Sequence, residues 1–350
     1  MSKKEQLITG LDIGSHAIKI CQLQKTGKGC KLLAAGSAIL PPEAVEDGVL
    51  QEPEIVGKTV ASLYKNLKIK NRKVGISISG YSVIVKKINL DYMSDDELEE
   101  YIKAEAEQYI PFDLNEVYLD YKSLPSSSQE NDRSDVMLVA AKKEVVDDYL
   151  LMLKEQKLQP VLVDVDGFAL ENIWEYTLNT LNNKQNTALV DIGASKMNIN
   201  VISEGVSVLA RDVIVGSNQL TDQLANALDI EEEEAEKVKL GMIHAEDKEM
   251  VEGIFNQICT QWVLEIKKAI DLYQSNNPDK ALSSLALSGG GAKVKGLISY
   301  ITQETGLEVI LLNPFKRMIV NTRKIDSQYL DSIAPEMAIA TGLAIRPAAF

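Results

Sequence analysis

The sequence predicts a mixed α/β protein built from two related lobes, and three observations lead there. A unit of strand, Asp-Ile-Gly turn, strand and strand occurs twice, at Asp12-Ile13-Gly14 and at Asp191-Ile192-Gly193. A triple glycine, Gly289-Gly290-Gly291, stands between an apolar strand and a helix. The chain has 350 residues, which is room for about two domains of ordinary size.

Each element has its own signal. Residues 7–11 are an apolar run leading into Asp12, residues 17–23 alternate as a half-buried strand does, and 32–40 supply a third strand. Residues 74–79 alternate again. Over 94–110, Leu98, Tyr101, Ile102, Tyr109 and Ile110 keep helical spacing, Ser94 and Glu97 form a capping box, and Pro111 ends the helix. A polar loop tip at 125–132, a strand at 136–140 and a helix at 143–156 complete an α+β insertion over 81–160. The second copy of the unit runs through 187–190, 197–202 and 206–215. Residues 217–275 are mostly helical, and the acidic run 231–234 opens one of these helices, where carboxylates complement the dipole. Strand returns at 282–287; after the glycines a helix is expected from about 293 to 302, and a last one over 335–345. Trp174, Trp262 and Cys259 fall on apolar helix faces and read as core, whereas His244 reads as surface.

Composition removes several classes of function. With 51 acidic and 37 basic residues the net charge is −14, which opposes bulk attraction to nucleic acid or an anionic membrane. Three cysteines and two histidines, none at paired-ligand spacing, leave no structural zinc site and fit a reducing cytosol. Residues 1–6 carry no apolar signal region, and no uncharged apolar run nears the ~20 residues of a spanning helix. The expectation is a soluble cytoplasmic protein.

The paired turns carry the chemistry. A nucleoside triphosphate needs backbone N–H groups aimed at its phosphates, and glycine lets the main chain approach closely. Magnesium keeps several waters and takes one or two carboxylates, so Asp12 and Asp191 on facing turns suffice. One Asp-x-Gly turn is common hairpin chemistry; two in matching contexts point to a shared site. Gly289, Gly290, Gly291 and Ala292 would add bare backbone and a helix N-terminus. The spacings of a Walker loop and of a dinucleotide fingerprint are both missing.

With the late segment Glu336-Met337-Ala338-Ile339-Ala340-Thr341-Gly342, this ordered set resembles the actin, heat-shock-70 and sugar-kinase superfamily. More narrowly, Glu105-Ala106-Glu107-Gln108-Tyr109-Ile110-Pro111-Phe112 resembles the hallmark of the PilM family of type IV pilus assembly ATPases. That resemblance covers the whole chain, with FtsA the nearest relation outside the family. It implies a two-lobed actin-like ATPase fold with an FtsA-like α+β insertion subdomain in the first lobe. The implied division is 1–80 with 161–186 for the first core, 81–160 for the insertion, 187–223 with 282–350 for the second core, and 224–281 for a small helical subdomain.

The resemblance further implies ATP and Mg2+ as ligands. Asp12, Gly14, Ser15 and Lys19 would form the first phosphate segment and Asp191, Gly193 and Ala194 the second, with Asp12 and Asp191 holding magnesium through water. Gly289, Gly290, Gly291 and Ala292 would hold the adenosine, and Glu236 and Lys239 would reach the ribose and base. The 336–342 helix would be a hinge, and Val163-Asp164-Val165-Asp166-Gly167 would begin the other crossing between lobes. His16 departs from the small polar residue expected there. No side chain is marked as a general base, Asp164 and Asp166 being positional candidates only, so hydrolysis is expected to be slow at most.

As partner the resemblance implies the N-terminal cytoplasmic tail of the inner-membrane protein PilN, in a groove at Tyr109, Ile110, Pro111 and Phe112. Pilus platform and motor proteins and self-association are further expectations. No nucleic acid is expected, and membrane contact would come only through partners, at the cytoplasmic face of the inner membrane. Two other readings stay open, a small-molecule kinase and an FtsA-like filament former. The ending 345–350, with no amphipathic helix after it, favours recruitment by a partner over the filament reading.

Overall fold

The two Asp-Ile-Gly units fold as the halves of a duplicated sheet. The computed structural model describes residues 7–124, 133–178 and 185–346; the loop tip expected at 125–132 and both chain ends lie outside the described residues. The first lobe opens with β1 (Leu7–Ile13), β2 (Ala17–Thr26) and β3 (Gly29–Ile39). A small hairpin, β4 (Val45–Glu46) and β5 (Val49–Leu50), leads to α1 (Pro53–Asn66) and β6 (Lys73–Ile78). Then come β7 (Val83–Asp91), α2 (Asp95–Glu105), β8 (Val117–Ser123), β9 (Arg133–Lys142), α3 (Lys143–Glu155), β10 (Gln159–Val165) and α4 (Asp166–Thr177). The second lobe starts with β11 (Thr187–Ile192), β12 (Met197–Ser203) and β13 (Val206–Val213), followed by α5 (Asn218–Leu228), α6 (Glu232–Lys239) and α7 (Lys248–Asn276). It closes with β14 (Ser284–Ser288), α8 (Leu297–Thr305), β15 (Glu308–Leu311), α9 (Ser327–Ile333) and α10 (Ala338–Ile345).

The strand orders are β10-β6-β1-β2-β3 and β15-β14-β11-β12-β13, which superpose element for element. In both sheets the Asp-Ile-Gly hairpin is antiparallel and its first strand pairs in parallel with the strand beyond. Strands β12 and β14 are buried along their whole length, although β12 alternates apolar residues with Asn198 and Asn200.

The insertion holds its own sheet, β7-β9-β8, under α2. Ile88, Leu90, Leu98, Ile102, Ile110, Val136 and Leu138 form its core. The Ser94–Glu97 capping box is present, but the helix ends at Glu105 rather than near residue 110. A 3-10 turn over Ala106–Gln108 replaces its last turn, and the amides of Tyr109 and Ile110 both donate to the Ala106 carbonyl. That tightening swings Ile110 into the core before Pro111, which has no N–H to offer. Helix α3 packs elsewhere: its Val145, Tyr149, Met152 and Leu153 join Val56, Val60, Leu63 and Tyr64 of α1 in the first lobe's core. Its Val146 also packs with Ala141 and Val83, so α3 joins the insertion to the first lobe's core.

The helix expected from about 293 begins at Leu297. Gly296, at φ 87°, turns the chain into it, and Gly290–Lys293 form a 3-10 turn instead. Helix α1, strands β7, β8 and β15, and helix α9 were not read from the sequence. The four-residue β15 is the clearest case, since Val309 is only partly buried, Ile310 and Leu311 are exposed, and the segment carries no alternation. Trp262 and Cys259 are fully buried and Trp174 nearly so, while His244 is exposed.

Helix α10 ties the first lobe together without side-chain spacers. A Cβ on Gly342 would lie 1.8 Å from the Ala169 carbonyl oxygen of α4, and one on Gly10 would lie 2.0 Å from that of Ala340. Gly342→Ala should therefore cost about 1–3 kcal/mol or more in urea unfolding. Gly253→Ala, at a position in α7 with nothing near its Cβ, should gain up to about 1 kcal/mol by helix propensity. Equal effects of the two substitutions would refute the close-contact account of α10.

Candidate functional site

Both hairpin tips close in the same way. The Gly14 amide donates to the Ala17 carbonyl at 3.1 Å and the Gly193 amide to that of Lys196 at 2.9 Å. Since Asp12 pairs with Lys19 and Asp191 with Asn198, Ser15 stands where Ala194 does, Ala17 where Lys196 does, and Lys19 where Asn198 does. The tips meet across the interlobe cleft, with the hydroxyls of Ser15 and Ser195 2.8 Å apart.

The cleft is lined by Asp12, Gly14, Ser15, His16 and Lys19 of the first hairpin and by Asp191, Gly193, Ala194, Ser195 and Lys196 of the second. Glu236 and Lys239 of α6, Gly290, Lys293, Glu336 and Asp166 complete its polar wall. Each lysine has a carboxylate of its own. Lys19 pairs with Asp12 at 3.3 Å, Lys196 with Asp166 at 3.1 Å, Lys239 with Glu236 at 2.5 Å and Lys293 with Glu336 at 3.0 Å. Among the described residues, Asp191 is the lining carboxylate outside salt-bridge range of any lysine; Ser288 donates to it at 2.7 Å.

The charges respond accordingly. Burial pushes the Asp191 carboxyl up to about 6 and raises Asp12 as well, against the pull of Lys19. Burial also acts on Asp166, but Lys196 and the Ser77 and Ser79 hydroxyls outweigh it and hold this carboxyl below the usual range. Burial would lower Lys19 and Lys196, and their aspartates more than reverse it. Lys239 is lowered by burial, as is His16.

Of the glycine turn, only Gly290 borders the cleft. A Cβ on Gly289 would lie 2.3 Å from the Ile192 carbonyl oxygen and one on Gly291 2.4 Å from Ile192 Cγ2, so these two fit the turn against the second hairpin. Gly290 has nothing within 4 Å of its Cβ position and presents bare backbone. Ala292 is buried behind it, and the N-terminus of α8 is set off from the glycines by Val294-Lys295-Gly296. Of the two candidate aspartates, Asp166 faces the cleft, whereas Asp164 is absent from its lining and pairs with Arg346. The sequence reading did not single out Lys196, Ser195, Asn198 or Lys293. Lys196 and Asn198 could have been found by aligning the two hairpins residue by residue.

In the insertion, Ile110 is 4% exposed and belongs to the core, which removes it from any contact surface. Pro111 is exposed, and Tyr109 and Phe112 are half-buried, with Lys86 and Lys142 over their rings at 5.8 and 5.1 Å. Among the described residues, no group of three or more His, Cys, Asp or Glu side chains could by itself hold a metal, and no helix is long and apolar enough to cross a membrane.

Duplicated lobes closing on paired Asp-Ile-Gly hairpins define an actin-like protein. The model of the family described as type IV pilus assembly protein PilM matches residues 10–348, and the chain belongs to that family. A solved structure entitled PilM-PilN type IV pilus biogenesis complex is 27% identical, with TM-score 0.86 over 97% of this chain and 99% of that one. The ethanolamine utilization protein EutJ of Carboxydothermus hydrogenoformans is 16% identical, with TM-score 0.57 and coverage of 97% and 89%. MreB5 of Spiroplasma citri bound to ADP is 12% identical, with TM-score 0.54 and coverage of 97% and 95%. The last two share the fold alone.

Because the folded state favours a protonated Asp191, it binds a proton that the unfolded chain has lost between the carboxyl's usual value and about 6. This group's contribution to stability therefore falls as pH rises through that window and is unfavourable above it. In metal-free buffer Asp191→Asn should stabilise the protein near pH 7 by about 1–2 kcal/mol, with the gain shrinking toward pH 4. A gain that ignored pH would show that the carboxyl is not desolvated.

Proposed function

We propose that this type IV pilus assembly protein binds ATP with magnesium in the interlobe cleft, grips the N-terminal cytoplasmic tail of PilN with its insertion, and lets the first event alter the second. The observation that carries the nucleotide half is the charge layout: four lysines line the cleft around one carboxylate, Asp191, that no lysine balances.

The residues fit the ligand. Gly14, Gly193 and Gly290 bring backbone to the cleft, Ser15, Lys19 and Ala194 line it with them, and Glu236 and Lys239 on its wall would reach the ribose and base. Asp12 and Asp191 would hold magnesium through water. When bound, the metal neutralises phosphate charge and fixes its orientation. Gly289, Gly291 and Ala292 act indirectly by seating Gly290. Asp166 accepts hydrogen bonds from Ser77 and Lys196, and turnover is taken to be slow at most. A nucleotide switch needs only different partner affinity in its two states.

For the partner half, support comes from the family and from the relative solved with PilN. Tyr109, Pro111 and Phe112 form an apolar edge on the insertion, backed by the core residue Ile110, and an apolar peptide docks through a few such anchors. Attachment at the cytoplasmic face of the inner membrane would follow from that partner.

Calorimetry with a PilN N-terminal peptide tests the reading. We expect micromolar affinity that changes when ATP and magnesium are present. Phe112→Ala or Tyr109→Ala, in protein that still melts cooperatively, should weaken the peptide by about tenfold or more. Asp191→Ala should weaken ATP–magnesium comparably while sparing the peptide. No peptide affinity in either state would discard the partner, and no nucleotide affinity would discard the cleft.

A further inference from the structure

Two of the cleft's four ion pairs are local, Lys19 with Asp12 in one hairpin and Lys239 with Glu236 in α6, while Lys293 reaches Glu336 in the turn over Ala334–Met337. Lys196 is different. It stands at the tip of the second hairpin and reaches the first lobe, where its ammonium bonds Asp166 Oδ2 at 3.1 Å and the Ser79 hydroxyl. Asp166 is the first residue of α4, 6% exposed, and its other oxygen accepts from Ser77 at 2.5 Å.

The acceptors of Lys196 lie at the root of the insertion. Gly80, next to Ser79, has φ 87°, and its amide donates across the lobes to Asp212 at 2.7 Å. Asn198, from the same hairpin as Lys196, donates to the other oxygen of Asp212 at 2.7 Å. The Gly80 carbonyl accepts from Val83, the first residue of β7. The second lobe thus holds the turn that launches the insertion at two points, Lys196 of the hairpin on Ser79 and Asp212 of β13, itself held by Asn198, on Gly80.

A buried ammonium must keep an anionic partner, and lysine, a compact charge on a flexible stem, trades one partner for another readily. The lining places Lys196 beside the paired tips of Ser15 and Ser195, and on the nucleotide reading of the cleft the end of a triphosphate would lie between those tips. We propose that Lys196 exchanges Asp166 and Ser79 for the terminal phosphate of a nucleoside triphosphate. It is then the residue by which the cleft tells triphosphate from diphosphate, and the exchange loosens the Ser79–Gly80 turn beneath the insertion. The inference rests on the nucleotide reading of the cleft and specifies its regulation.

The test is calorimetry with ADP–magnesium and with a non-hydrolysable ATP analogue, joined to hydrogen exchange at the Gly80 and Val83 amides. K196Q should lose about tenfold in affinity for the triphosphate and less than about twofold for the diphosphate, and K196R should recover most of the loss. D166N, which removes the competing anion, should bind the triphosphate more tightly than the unsubstituted chain. In the unsubstituted chain the two amides should exchange faster with the triphosphate than with the diphosphate, and K196Q should abolish that difference. Should K196Q not fold, K196Q/D166N leaves no unpaired buried charge and should show the same lost discrimination. Equal weakening of both nucleotides by K196Q, no weakening, or poorer triphosphate binding by D166N would overturn the exchange while leaving the nucleotide reading intact. An unsubstituted chain that binds neither nucleotide overturns both.

Discussion

Charge taken out of water between two lobes must be balanced, and that requirement organises the centre of this protein. Each cleft lysine lies against a carboxylate, and two of these pairs, Lys19 with Asp12 and Lys239 with Glu236, form within one element or hairpin. One pair, Lys196 with Asp166, spans the lobes and so makes their approach depend on the electrostatics of the cleft. Asp191 is left without a cation, and its raised affinity for a proton is the cost of that position. An arrangement balanced except at one carboxylate is suited to a ligand that carries both phosphate and a divalent cation.

The electrostatics operate only because the backbone holds the hairpins in place. Gly10 and Gly342 let α10 lie directly against β1 and α4, so the strand that presents Asp12 and the helix that presents Asp166 share one rigid support. Gly289 and Gly291 do the same for the second lobe, seating the turn after β14 against Ile192 beside Asp191. The two sets of close contact are unlike in sequence and alike in effect, each fixing the strand that presents a cleft aspartate.

The insertion meets this centre at the Ser79–Gly80 turn and, beside it, where β7 packs against β13. Its own core is separate from that of the first lobe, while α3, which follows it in the chain, returns to pack with α1. A small domain with its own core, fastened to the cleft through Ser79, Gly80 and Asp212, can respond to the cleft without being rebuilt by it.

Much of this was legible in the sequence. The duplication, the two Asp-Ile-Gly hairpins, the capping box at Ser94 and the acidic start of α6 are local patterns of periodicity and turn chemistry, and the chain states such patterns directly. Other features depend on residues distant along the chain. Whether a glycine of the Gly289–Gly291 turn faces a ligand or a neighbour was decided by where Ile192 lies. The early end of α2 came from the pull of Ile110 into a core formed partly by β9. The choice between Asp164 and Asp166 was made by Arg346, which pairs with the former, and by Lys196, which pairs with the latter. The sequence by itself determined the duplicated hairpins and the aspartates and glycines they bring to the cleft, because those follow from spacing within one strand or turn. Only the tertiary structure decided which charges meet, because an ion pair depends on distances between lobes that no local pattern encodes.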